Sequence, residues 1–125
     1  MPTIKEIQKY VDNKHSTDKF FQTHLGAILD SLGITTDAAR NAALVSLANL
    51  KLFDNKQRDY GSRNISSFGV FGVIVRMNDK MERLKTLIST KRRKAVNESI
   101  SDSLTDISNY AIIATLIDSK RWPTV

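Results

Sequence analysis

Apolar residues recur three and four positions apart over most of the chain, the spacing of one face of an α-helix, while the alternation expected of strands is scarce. In "TDKFFQTHLGAILDSLG" (17–33) the repeat is Phe21, Leu25, Ile28 and Leu32, and Gly33 is a natural stop. Ahead of it, Thr3 and Glu6 have the spacing of a capping box, which predicts a short helix over about residues 3–12. "TTDAARNAALVSLANLKLFDNKQRD" (35–59) predicts a longer helix capped by Thr35 or Thr36, with Leu44, Leu47, Ala48 and Leu50 or Lys51 succeeding one another on its faces.

"YGSRNISSFG" (60–69) breaks the pattern with glycines and polar residues and predicts a loop. In "VFGVIVRMNDKMERLKTLI" (70–88) β-branched residues crowd the start, and a helical stripe of Val70, Ile74, Met77, Met81, Leu84 and Ile88 is clear from Val73 onward. "STKRRKAVN" (89–97) is the next turn, and "ESISDSLTDISNYAIIATLI" (98–117) supplies the last long helix. The final "SKRWPTV" reads as a tail whose Trp122 folds back on the bundle. These elements predict an all-α fold, an antiparallel bundle of four or five helices in a single domain over residues 1–125.

Composition narrows the chemistry. There is no run of 18 apolar residues and the N-terminus is polar, so the expectation is a cytoplasmic protein with neither a membrane span nor a signal peptide. Without cysteine, and with only His15 and His24 to offer imidazole, any metal would be a hard cation on oxygen. The net charge of +6 favours an anionic partner. Part of the excess is local, at "KRRK" (91–94) and "KLFDNKQR" (51–58), where a solvated face is the commoner role of such runs.

On a helix advancing about 100° per residue, Ile100, Leu104, Ile107, Ala111 and Ala114 form a core stripe, and Glu98, Asp102, Asp106 and Asn109 lie roughly opposite. The polar column runs directly into Ile113 and Leu116, so its acidic half begins near an interior or cleft and needs cations. On the preceding helix, Asp79 and Glu82 share one flank of the stripe, and Arg76, Lys80 and Arg83 share the other. If the two helices pack antiparallel, five carboxylates converge as hard ligands for Mg²⁺ or Mn²⁺, with basic residues beside them for phosphate. The simpler alternative pairs Asp79 and Glu82 with Lys80, Arg83 or Lys85 in surface salt bridges. Tyr60 can stack on a base and Gly61 lets the backbone approach, or the two can serve as core cap and helix terminator.

"KQRDYG" (56–61), "RMNDKMERL" (76–84) and "ESISDSLTDISNYAII" (98–113) together resemble the small phage and bacterial proteins called nucleotide modification associated domain 1. More distantly they resemble the all-α nucleoside triphosphate pyrophosphohydrolases of the MazG and dUTPase-like group. The resemblance covers about residues 45–117. It implies a nucleotide ligand, Mg²⁺ held by carboxylates from two helices, cleavage between the α and β phosphates, and a homo-oligomer with its site between protomers. For a phage protein the compartment is the host cytoplasm. Glu98 and Asp102, with Asp106 one turn on, match the group's second acidic helix. Its first carries Glu-Glu-x-x-Glu, which "SLANLKLFDNK" lacks, so that Asp79 and Glu82 would have to take its place. The spacing here is also Glu-x-x-x-Asp rather than Glu-x-x-Asp.

The alternative is a non-catalytic binding protein on the same scaffold, engaging a host protein, nucleic acid or a nucleotide, with the acidic column paired to Lys51, Lys56 or Arg58. A helix-turn-helix over "FFQTHLGAILDSLGITTDAARNAALVSL" ranks last, because its second helix is rich in Ala, Leu and Val where base-reading side chains are needed.

Overall fold

A computed structural model describes residues 19–89 and 93–123, with side chains described for 23–89 and 100–123. The helix expected at 3–12 and the side chains of Phe21 and Glu98 lie outside the described residues. All regular structure among the described residues is helical: α1 (Lys19–Ser31), α2 (Asp37–Tyr60), α3 (Arg63–Ser66), α4 (Gly69–Ser89) and α5 (Arg93–Asp118). The all-α class is the one the hydrophobic period predicts. Two compact units divide within α2, between Ala48 and Asn49.

In the first unit α1 ends in a Schellman turn. Gly33 takes φ +73°, its N–H donates to the Asp30 carbonyl at 3.0 Å, and the Ile34 N–H donates to that of Leu29 at 2.9 Å. Thr36 caps α2, its hydroxyl oxygen accepting the Ala39 N–H at 3.2 Å. Arg40 then pairs with Asp30 across the turn. Among the described side chains of α1, Leu29 is buried and Leu25 half-buried, whereas Ile28 and Leu32 are 54% and 67% exposed. The expected stripe departs at Ile28 and Leu32, because a three-and-four period fits two neighbouring rows of the same helix equally well.

The second unit is organised by α4 and α5, which pack along each other. Their register is antiparallel: Val73 shares a core cluster with Ile113, and further along the pair Lys80 meets Asp106. Val73 is fully buried and Leu84 nearly so, and the inward row continues through the half-buried Met77, Lys80 and Leu87. Ile74, Met81 and Ile88 of the predicted stripe face outward. On α5 the prediction holds in part: Ala114 packs against the core and the column from Asp106 to Ile113 turns inward, but Leu104 does not. Leu104 is 54% exposed, while Ser103, Thr105 and Asn109 are buried with Ile113. A lysine in the inward row of α4 requires a polar, acidic face opposite it, and small hydroxyls pack there without loss.

α4 begins at Gly69, ahead of the clear helical pattern. At Gly72 an added Cβ would lie 2.7 Å from the Cβ of Phe68, so glycine lets the first turn close over that residue. The tail folds back as expected: Trp122 is buried, meets Phe53 edge-on at 6.1 Å between centroids, and donates its indole N–H to the Ser62 carbonyl at 3.0 Å. The turn that delivers it is a second Schellman motif, with Lys120 at φ 59°, its N–H on the Ile117 carbonyl and that of Arg121 on Leu116. Among the described residues no helix is long and apolar enough to cross a membrane.

Candidate functional site

The second unit contains a cleft of about 250 Å³. One wall is the last two turns of α2, where Phe53, Lys56, Gln57 and Tyr60 recur at the spacing of a single helix face. Gly61 closes that helix in the left-handed region at φ +70°, with its N–H on the Gln57 carbonyl at 2.9 Å. Gln57 in turn donates to the Ser62 hydroxyl at 2.8 Å, and the Ser62 carbonyl accepts from Trp122 and, at 3.0 Å, from the Ser66 hydroxyl. The buried Ser62 thereby fixes the loop that sets Tyr60 and Gly61 at the cleft. Asn64 and Ile65 of α3 extend this wall.

The opposite wall is built by Arg76 on α4 and by Asp106, Asn109, Tyr110 and Ile113 on α5. Asp106, only 14% exposed, is held by two lysines: Lys56 Nζ lies 3.0 Å from Oδ1 and Lys80 Nζ 2.9 Å from Oδ2. Burial pushes its carboxyl upward, but the hydrogen bonds and charges of Lys80 and Lys56 outweigh burial and hold it below the usual carboxylate range. Arg76 is half-buried on the same cleft and has no ion-pair or hydrogen-bond partner among the described residues.

Asn109 is locked from behind. Its amide nitrogen donates to the Asn49 carbonyl at 3.2 Å, and Thr105 donates to the Asn49 side-chain oxygen at 3.4 Å. That orientation leaves the Asn109 amide oxygen buried without a partner among the described residues.

Of the residues singled out in the sequence, the cleft gathers Tyr60, Gly61, Arg76 and Asp106, with Lys80 behind Asp106. Asp79, Arg83 and Asp102 are exposed. Glu82 is exposed and paired with Lys85 at 3.0 Å, the simpler of the two roles the spacing allowed. Among the described residues no group of three or more His, Asp or Glu could hold a metal ion. The bridge from the acidic column to Lys56 forms. Arg58 instead pairs with Asp54 one turn earlier, lowering the Asp54 carboxyl and raising its own guanidinium. Phe53, Gln57 and Asn64 were not singled out, although the shared helix face of Phe53, Lys56, Gln57 and Tyr60 was available as a signal.

The second unit is thus a helical scaffold for a small, net-cationic cleft with aromatic rings in its walls. Residues 56–117, just under half of the chain, match the family model described as nucleotide modification associated domain 1, and the match takes in every wall of the cleft except Phe53. No curated protein and no solved structure matches the chain.

Proposed function

We propose that the second unit binds a nucleotide in this cleft. The observation that carries this is Arg76, a half-buried guanidinium on an aromatic-lined cleft with no acidic partner among the described residues. Such a group is suited to accept a phosphate through two parallel N–H bonds. Lys56 adds an ammonium with donors beyond the one given to Asp106. Tyr60 and Phe53 offer aromatic faces for a base. The family description, which concerns nucleotide modification, supports the same ligand class.

A Mg²⁺-dependent pyrophosphohydrolase using Asp79, Glu82, Glu98, Asp102 and Asp106 is the rival reading. It is less well supported, because both oxygens of Asp106 are engaged by lysines and Glu82 is engaged by Lys85.

Calorimetric titration with the four deoxynucleotides tests the proposal. Binding should weaken by about tenfold to a hundredfold in Arg76→Ala, the size of a charged hydrogen bond, with the helical circular dichroism unchanged. Absence of nucleotide binding, or an Arg76→Ala variant that binds as the parent does, would overturn it. A DNA gel shift that fades with salt, in place of nucleotide binding, moves the function to nucleic acid. Pyrophosphate release that requires Mg²⁺ and is abolished by Asp102→Asn restores the hydrolase.

A further inference from the structure

Resting on the nucleotide reading, we infer that the cleft takes nucleoside monophosphates in preference to triphosphates and takes them without a divalent cation. The basis is charge balance. Among the described residues lining the cleft, Lys56 and Arg76 stand against one carboxylate, Asp106, and Lys80 behind it adds a third cation, so that the cluster carries a net charge of two positive. A phosphate monoester carries about −1.5 to −2 at neutral pH, so one phosphate is matched.

Further phosphates bring negative charge that these walls do not neutralise. In sites built for triphosphates that excess is met by Mg²⁺ bridging the phosphate oxygens, with protein carboxylates holding the metal. Here the described residues assemble no such carboxylate group. Asp106, the carboxylate among the described residues lining the cleft, is tied by both oxygens to ammonium groups and so is not available to hold a metal. Size points the same way. The cleft's ~250 Å³ is below the roughly 300–1,000 Å³ typical of pockets for drug-sized ligands.

Titrations with the 5′-mono-, di- and triphosphates of each deoxynucleoside, in Mg²⁺ or in EDTA, read this out directly. The monophosphate should bind about tenfold more tightly than the triphosphate of the same base, and EDTA should leave its affinity unchanged. A tighter triphosphate, or a requirement for Mg²⁺, overturns the inference while leaving nucleotide binding intact; binding by none of the series removes the underlying proposal instead. Asp106→Asn raises the site's charge by one and should narrow the preference, and Lys80→Met lowers it by one and should widen it. Two folded variants that both keep the parental preference would show that charge balance does not set it.

Discussion

Lys80 and Asp106 face each other across the α4–α5 interface, 2.9 Å from Nζ to Oδ2, in the same antiparallel register that joins Val73 to Ile113. The carboxyl is held below its unfolded value of about 3.9, so its contribution to stability is present above that pH and lost as pH falls through the lower folded value. Acid denaturation followed by circular dichroism should show a steep limb below pH ~4 that is flatter in Asp106→Asn. At neutral pH the same variant should be less stable by about 1.5–3 kcal/mol, because two ammonium groups lose a shared charged acceptor.

Trp122 ties the tail to the loop at Ser62, which keeps a second donor in Ser66. Trp122→Phe should therefore cost only about 1–2 kcal/mol in urea unfolding, since the carbonyl is not left unpaired. Trp122→Ala should cost about 3–5 kcal/mol, because it empties the space against Phe53 and Ile113. Equal losses in Trp122→Phe and Trp122→Ala would show that the indole hydrogen bond, which both variants lack, dominates over packing.

Lys120 holds a left-handed conformation at φ 59° in the turn after α5, the same position in the motif that Gly33 fills after α1. An L-residue there costs roughly 1–2 kcal/mol, partly offset by the entropy glycine loses on folding. Lys120→Gly should raise stability by about 0.5–1 kcal/mol, seen as a higher melting temperature, with nucleotide affinity unchanged.

Gly72 has no room for a side chain over Phe68. Gly72→Ala should destabilise by about 1–3 kcal/mol through overpacking at the start of α4. Phe68 is 82% exposed, so Gly72→Ala combined with Phe68→Ala tests whether the collision is with the ring or with the Cβ that alanine retains. An unrelieved double variant assigns it to the Cβ.

Helix identity was legible in the sequence because local signals act alone: Thr36 caps, Gly33 and Gly61 stop, and the three-and-four period needs no partner. The choice of row was less so. Ile28 against Leu29, and Ile74 against Val73, differ by one position on a helix, and only the facing element decides between them. The inward polar face of α5 was legible as a column from Asp106 toward Ile113, but the assignment of Leu104 to the core was not correct, because hydrophobic pattern alone cannot anticipate that Lys80 faces inward. Arg76, Tyr60, Gly61 and Asp106 were recognisable by residue type. Their meeting with Phe53 and Asn64 depends on the fold of the short α3 segment, which carries too few residues for any period.

Trp122 is the only tryptophan in the chain, and its ring rests edge-on against Phe53, which lines the cleft. The protein therefore carries an intrinsic fluorophore one ring removed from the cleft. Occupancy of the cleft should change the wavelength or quantum yield of indole emission, so that binding can be followed on the unlabelled, unmodified chain.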